Sequence, residues 1–315
     1  MSAARLRETI AQCLSDARSS GSADVQQKAL HTLASITRVS PQNRNMFAQT
    51  DGAIATLLAL IQSSSSSSSS ILRNLSLSIL FNLSLNPDLK RSLADMETIH
   101  LLNSIIPSTT SRETSRLACS LVCSLAMLDK NKAKFGMAGT VQVLVNAISK
   151  PRGAPAAHHI LSSLAELVQF HGNCTLAVRS GAIEALIEVV ESTDTEGEDL
   201  TGTSLAVVGL LARFDEGLNA LIRADQIVSS MVEVLKGRCM LRKEGAAEIL
   251  VRLFDENEGC VRDALRLPEF STVLADLSVR GSSRARDKAA QLMKKAMDAN
   301  LDPHVEDNST LLQWY

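Results

Sequence analysis

The sequence lacks the features that most function classes require. Its net charge is −2, so it has no bulk basic field to attract nucleic acid or an acidic membrane. Six cysteines in 315 residues are too sparse for a disulfide framework, which predicts a reducing compartment. No apolar segment of a secretory signal follows Met1. The apolar runs near Ala53–Ile61 and Leu205–Ala212 are far shorter than the roughly 20 residues of a membrane-spanning helix. We therefore expect a soluble protein of the cytoplasm or nucleus.

Sequence motifs of catalysis are also missing. There is no P-loop, no GxGxxG, no GxSxG and no HExxH. Cys119 and Cys123 are spaced to share one face of a helix, but no further metal ligands are evident at suitable range in the sequence, and buried small apolar cysteines are the simpler interpretation. We predict no catalytic residue, no metal site and no cofactor.

The sequence does contain a repeat. Aromatic residues make up only 3% of the chain, whereas 45% is hydrophobic and 21% charged, which is typical of a folded chain with a sizeable core. One phrase recurs: glycine, a small residue, an aliphatic residue, and paired apolar residues three and four positions later. The third residues of its copies, some of them degenerate, are Ile54, Thr98, Val141, Ile183, Ile227 and Phe270, at intervals of 42 to 44 residues.

A second phrase lies between the copies of the first. It places apolar residues at i, i+3 and i+6, the stripe of a packed helix. Its copies are Leu30/Leu33/Ile36, Leu77/Leu80/Leu83, Cys119/Val122/Leu125, Leu161/Leu164/Leu167, Leu205/Val208/Leu211, Ala247/Leu250/Leu253 and Ala290/Met293/Ala296. Two phrases with one period of about 43 residues predict an all-α solenoid in which each unit packs on its neighbours.

Each unit is predicted to contain three helices. The second helix starts at the glycine phrase and the third carries the apolar stripe. The short first helices are predicted at residues 44–50, 89–95, 132–138, 175–180 and 218–224. Gly52, Gly139 and Gly181 are predicted to supply positive φ at the sharp corner before the second helix. Met96, Asp225 and Pro268 replace this glycine in other units, whose corners must be built differently.

Polar loops are predicted between second and third helices, at residues 63–70, 107–111, 150–155, 192–199 and 236–238. The first is a run of eight serines, Ser63–Ser70. Either these loops are polar because they face water, or the serine tract is phosphorylated.

The phrases resemble those of armadillo repeat proteins over residues 23–297. This resemblance implies a right-handed α–α superhelix of about six to seven repeats. Residues 1–22 would form an N-terminal capping helix, and residues 298–315, ending in Trp314 and Tyr315, a flexible tail. The stretches Asn82-Leu83-Ser84, Asp129-Lys130-Asn131-Lys132 and 259–265 are similar to the armadillo region of plant U-box ubiquitin ligases.

This resemblance implies a scaffold that binds protein partners and recognises substrates or adaptors near ubiquitination. The U-box that recruits the conjugating enzyme has no counterpart in these 315 residues, so we expect a non-catalytic chain. The alternative is a U-box-type ligase relative whose U-box is missing from this chain. Binding of nucleic acid and membrane insertion are not expected, and the oligomeric state is left open.

Nuclear-import adaptors, another armadillo group, bind basic peptides through a concave ladder of Trp and Asn. The corresponding Trp positions here hold no Trp, and only Asn82 is retained among the Asn positions, so we do not expect import-adaptor function. The candidate partner-binding residues on the concave face are Asn82, Ser124, Glu166 and Arg252. Net charge alternates along the chain, from +6 over residues 1–150 to −9 over residues 184–233. This pattern reflects ordinary solvated faces, or else a partner surface of matching sign.

Overall fold

Helices account for nearly all of the residues that the structure describes. The computed structural model describes residues 3–19, 22–63, 67–107, 111–149, 156–192 and 200–300, and these ranges contain no β-strand. The chain divides into two compact units, Met1–Ala185 and Leu186–Tyr315. The helices that begin before this division are α1 Ala3–Arg18, α2 Ala23–Val39, α3 Pro41–Ala48, α4 Ala53–Gln62, α5 Ser67–Ser84, α6 Pro87–Leu93, α7 Met96–Ile105, α8 Arg112–Ala126, α9 Asp129–Met137, α10 Thr140–Ile148, α11 Ala157–Leu167, α12 His171–Arg179 and α13 Ala182–Glu191, which crosses it. Those that follow are α14 Thr201–Leu211, α15 Asp215–Arg223, α16 Ile227–Lys236, α17 Met240–Glu256, α18 Glu258–Leu265, α19 Phe270–Arg280 and α20 Ser283–Asn300.

The helices occur in triplets, as the two phrases predicted. After α1 and α2, the described residues form six triplets, from α3–α5 to α18–α20. We call α2, α5, α8, α11, α14, α17 and α20 the third helices. None of the helices in the described ranges combines the length and hydrophobicity needed to cross a bilayer.

Apolar stripes of the third helices form the core. All three stripe residues are buried in every third helix from α2 to α17; Leu77, Leu80 and Leu83, for example, are at most 1% exposed. The stripe predicted for α20 is wrong, because Ala290 is exposed and Met293 half-exposed. The buried residues of α20 are Ala285, Ala289, Leu292 and Ala296. Since α20 packs mainly against α17, α18 and α19, Ala290 and Met293 on its other side remain accessible to solvent.

Corners before the second helices confirm the glycine prediction. Gly52, Gly139 and Gly181 have φ values of 69°, 79° and 81°. At the fifth corner the left-handed residue is Gln226, with φ of 59°, so the register that aligned Asp225 with glycine is wrong by one residue. With Gln226 at the glycine position, Met231 and Val232 take the places of Leu57 and Leu58, and all four are buried.

The corner without glycine in the second triplet uses a side-chain cap. The carboxylate of Asp95 accepts hydrogen bonds from the Thr98 backbone N–H at 2.8 Å and from the Thr98 hydroxyl at 3.0 Å. Because an aspartate at the N-cap satisfies a terminal helix donor, α7 starts without a left-handed residue.

First helices start two to four residues earlier than predicted. Pro41 and Pro87 open α3 and α6, where the absence of an N–H leaves no intrahelical hydrogen bond unmade. Ser40 and Asn86 cap them through side-chain oxygens. These Ser-Pro and Asn-Pro pairs are start signals that the apolar pattern alone did not reveal.

The serine tract is partly helical. Helix α5 begins at Ser67, so the prediction of a loop over residues 63–70 is wrong for its second half. Residues 64–66, 108–110, 150–155 and 193–199 of the predicted loops lie outside the described residues, as do residues 301–315 with Trp314 and Tyr315. Helix α1 packs on α2, α3 and α4, but the domain boundaries at residues 22 and 298 stay predictions.

Candidate partner-binding groove

Third helices pack side by side within each unit. In the first unit α2 packs on α5, α5 on α8 and α8 on α11. In the second unit α14 packs on α17 and α17 on α20. Residues about 42 positions apart therefore take equivalent places on neighbouring third helices. Such equivalent residues form a row across the surface of these helices.

One row on the third helices of the first unit consists of small hydroxyl side chains. We call Ser78, Ser120 and Ser162, which are half-exposed on α5, α8 and α11, the serine row. The hydroxyls of Ser120 and Ser162 donate at 2.9 Å to carbonyl oxygens one turn earlier in their own helices. The same two hydroxyls lie 3.4 and 3.5 Å from the Nδ1 atoms of His159 and His158, and since a hydroxyl oxygen has two acceptor lone pairs, the row presents a strip of hydrogen-bond acceptors beside two imidazoles.

The predicted residue Asn82 lies one turn beyond the serine row. Its amide nitrogen donates at 3.2 Å to the Ala34 carbonyl oxygen and at 3.2 Å to the Thr37 hydroxyl, both on α2. Asn82 therefore ties two neighbouring third helices together.

Ser124 takes the equivalent place on α8. It is only 6% exposed; its hydroxyl lies 2.8 Å from the Ser84 hydroxyl and donates to the Ser84 carbonyl oxygen at 3.3 Å. The Ser124 carbonyl oxygen accepts a hydrogen bond of 2.5 Å from Lys90 Nζ. Burial lowers the pKa of Lys90 below its ordinary value, because the cation has lost its water.

Glu166 takes this place on α11 and forms an ion pair. Its carboxylate lies 2.9 Å from Lys132 Nζ, whose side chain is 5% exposed. Lys132 also contacts Asp129 at 2.7 Å. Burial alone would lower the pKa of Lys132, but hydrogen bonds to Asp129 and Glu166 outweigh it, so the pKa is raised.

Arg252 occupies the corresponding place on α17, in the second unit. Its guanidinium donates to the Ala212 carbonyl oxygen at 3.2 Å and lies 3.4 Å from the Glu248 carboxylate. Lys288 on α20 approaches Glu248 at 2.8 Å. The hydrogen bond from Lys288 lowers the pKa of Glu248 against the opposing effect of burial, and Arg252 adds to this.

All four predicted residues therefore have partners inside the chain. Asn82, Ser124 and Glu166 lie on consecutive third helices of the first unit, while Arg252 lies in the second unit. Asn82, Ser124 and Arg252 contact the preceding repeat, whereas Glu166 pairs with Lys132 on the first helix of its own repeat. Their role in binding a partner stays a prediction.

Buried amides on the first helices were missed by the sequence analysis. Asn131 and Asn173 are at most 1% exposed. The side-chain amide of Asn131 donates to the carbonyl oxygens of Lys90 on α6 and Leu125 on α8, both at 3.0 Å. The amide of Asn173 donates to those of Lys132 on α9 at 2.9 Å and Leu167 on α11 at 3.0 Å. Asn43 makes the equivalent bond to the Ile36 carbonyl oxygen at 3.0 Å. The available signal was the spacing of 42 residues between Asn131 and Asn173, which equals the repeat period.

The cysteines of α8 are structural. Burial raises the pKa of Cys119 to about 12, and it also raises the pKa of Cys123. No disulfide joins any of the six cysteines, all of which are described. Within the described ranges, no cluster of three or more potential ligand side chains is placed to hold a metal ion.

Comparison with family models decides the family. The model of the plant U-box protein ARM repeat region matches residues 9–311. The chain belongs to this family. It is an armadillo repeat scaffold, with the all-α solenoid fold that the repeat period predicted, and such repeat regions are ordinarily non-catalytic.

Two plant proteins are among its relatives. U-box domain-containing protein 1 of Medicago truncatula is 32% identical over 130 residues, which cover 40% of this chain and 18% of that protein. U-box domain-containing protein 17 of Arabidopsis thaliana is 26% identical over 145 residues, covering 46% of this chain and 19% of that protein. The matched segments thus span less than a fifth of each relative.

Solved structures share the fold. A computationally designed armadillo repeat protein for modular peptide recognition matches with a TM-score of 0.66 at 16% identity. The match covers 78% of this chain and 99% of the designed one. At this identity the likeness shows the armadillo fold alone.

Proposed function

We propose that this armadillo region is a non-catalytic scaffold that binds an extended segment of another protein across its third helices. The serine row of the first unit carries this proposal. Small side chains on three consecutive helices leave the helix surfaces open, and their oxygens accept hydrogen bonds from a partner backbone. Asn82, Ser124, Glu166 and Arg252 stay candidate contacts, with internal hydrogen bonds that hold them in fixed positions for a partner.

Groove-filling substitutions test this proposal. Peptides selected from a random library on the purified chain are measured against Ser78→Arg/Ser120→Arg, which places two long side chains on the strip. The matched control is Asn146→Arg, at an exposed position of the second helix α10. We expect binding to be lost in the first variant and retained in the second. Equal binding by both variants would place the peptide elsewhere.

The role we propose in the cell is recognition of a substrate or adaptor linked to ubiquitination, in the cytoplasm or nucleus. The U-box proteins among the relatives support this link, and their ubiquitin-transfer partners would be recruited outside the armadillo region. The alternative is that this chain itself supports ligation as a U-box-type relative. Ubiquitin chains formed by the purified 315 residues with a conjugating enzyme would favour that alternative, whereas their absence together with peptide binding favours the scaffold.

A further inference from the structure

Three turns of the first unit expose an apolar side chain at the same position. These turns join a third helix to the next first helix, and Val39, Leu85 and Met127 each lie directly before the N-cap residue of α3, α6 or α9. Their exposed fractions are 77%, 47% and 64%. A single exposed apolar residue is ordinary, whereas the same feature in three consecutive repeats requires an explanation. We call these three residues the turn row.

A local helix motif does not account for the turn row. An apolar residue directly before an N-cap commonly packs on an apolar residue at the fourth position of the helix, as a hydrophobic staple. Here the fourth positions of α3, α6 and α9 hold Arg44, Lys90 and Lys132. The charged ends of these side chains bond to oxygen atoms of neighbouring third helices. The turn row therefore gains no staple from the helices that it precedes.

The spacing of the turn row follows from the packing of the third helices. Helix α2 packs on α5 and α5 on α8, and packed helices lie about 8–10 Å apart. In an α-helix, residues i and i+7 share one face and are about 10.5 Å apart. An extended strand fits less well, because the residue that is about 10 Å further on points to the opposite face. The row therefore matches a helix with one apolar side chain per heptad.

Basic side chains surround the turn row. Helices α3, α6 and α9 contain six basic and two acidic residues. Arg38, Arg91 and Lys130 are exposed and form no ion pair with any residue that the structure describes. One of the two acids pairs with Lys132, and the other is the exposed Asp88. The surface around the row is therefore positive.

We propose that the turn row binds an acidic amphipathic helix of a partner protein. Apolar side chains of the partner cover Val39, Leu85 and Met127, and its carboxylates lie near the exposed cations. Burial of the apolar side chains stabilises the complex, while the complementary charges set orientation and association rate. The row lies about two helical turns from the serine row, and this inference does not rest on the function proposed for the serine row.

Binding of a designed peptide tests this surface. The probe is a fluorescein-labelled peptide of about three heptads, with leucine at the first and fourth heptad positions and glutamate beside them. Fluorescence anisotropy measures its affinity. The disrupting variant is Leu85→Glu/Met127→Glu. The matched control is Met96→Glu/Met137→Glu, which adds the same charges at two other apolar positions of the first unit, 41% and 76% exposed.

We expect the peptide to bind the wild-type chain and the control variant equally, and the disrupting variant at least about tenfold more weakly. Circular dichroism confirms that both variants keep their helices. Equal affinity for the two variants would overturn the proposal, and so would failure of the peptide to bind the wild-type chain.

Two further peptides test the chemistry of the partner. One has lysine in place of glutamate, and the other has a central proline that breaks the helix; neither should bind. Equal binding of either peptide would overturn the acidic helix as occupant. Loss of binding in Ser78→Arg/Ser120→Arg with unchanged binding in Leu85→Glu/Met127→Glu would place the peptide on the serine row. That result would overturn this inference and leave the proposed function standing.

Discussion

At the scale of single residues, buried amides hold adjacent repeats in register. Asn131 and Asn173 each donate to two carbonyl oxygens of the preceding repeat, one on its first helix and one at the end of its third helix. A third-helix end leaves its last carbonyls without intrahelical partners, and the amide supplies the missing donor. These residues thus satisfy backbone groups that the core encloses.

Gly136→Ala tests the packing of this amide. A Cβ at Gly136 would lie 2.1 Å from Asn173 Oδ1, so Asn173 must move and weaken its bonds to the Lys132 and Leu167 carbonyls. We expect the free energy of unfolding to fall by about 2–4 kcal/mol, measured by urea denaturation. The control Gly209→Ala meets nothing within 4 Å and should be neutral or stabilising by up to about 1 kcal/mol. An equal loss in both would refute the role of Asn173.

Thiol reactivity should follow burial in α8. A pKa of about 12 leaves Cys119 as the neutral thiol at pH 8, and the thiolate is the reactive form. We therefore expect iodoacetamide to label the exposed Cys239 in the native protein while Cys119 stays unlabelled until urea unfolds the chain. Peptide mapping by mass spectrometry measures both. Rapid labelling of native Cys119 would contradict its burial.

At the scale of helices and corners, the repeat tolerates several solutions for one bend. Glycine at positive φ builds three corners and Asp95 caps another, while Gln226 accepts a left-handed conformation at the fifth. A left-handed conformation strains a residue that has a Cβ. The burial of Met231 and Val232 compensates for the strain at Gln226. Their burial also fixes the residue at which α16 begins.

Gln226→Gly should relieve this strain. We expect a gain of about 0.5–1 kcal/mol, because the relief of αL strain exceeds the added entropy of glycine in the unfolded chain. Asp225→Gly, at the neighbouring position with no positive φ, should be neutral or destabilising. Thermal denaturation of the two variants gives the comparison, and a loss of stability in Gln226→Gly would contradict the left-handed assignment.

Glu166→Gln should destabilise the first unit in a pH-dependent manner. The pKa of Lys132 is raised on folding, so the stabilisation by this cation is complete below its unfolded pKa near 10.5 and is lost as pH rises through the higher folded value. We expect a loss of about 1–3 kcal/mol at pH 7, which shrinks at pH values above the folded pKa. Chemical denaturation from pH 7 to 11 measures the difference. A difference that stays constant to high pH would rule out the ion pair as its source.

At the scale of the whole molecule, packing follows the order of the chain. Within each unit, the main contacts of every helix are with helices of its own or an adjacent triplet. The energetics of such a protein approximate a sum of repeat and neighbour terms. A substitution in one repeat should therefore change the stability of that repeat and its neighbours but not that of distant repeats.

Hydrogen exchange tests this locality within the first unit. In Gly136→Ala, amides of α9, α11 and α12 should exchange faster, while those of α1 and α2 keep the wild-type rates. Mass-spectrometric exchange of both proteins gives the map. Uniform acceleration from α1 to α12 would show that the unit opens as one cooperative block.

The sequence by itself determined the repeat period, the buried stripes of α2 to α17 and the three glycine corners, because each helix and corner depends on residues close together in the chain. It did not determine the internal partners of Asn82, Ser124, Glu166 and Arg252, or the burial of Lys90 and Lys132. Those depend on which backbone carbonyls, hydroxyls and charged groups of other helices, in the same or the preceding repeat, come within hydrogen-bond distance. Only the tertiary structure decides this, since the groups that meet are 34 to 48 residues apart and their distances are set by how the helices pack.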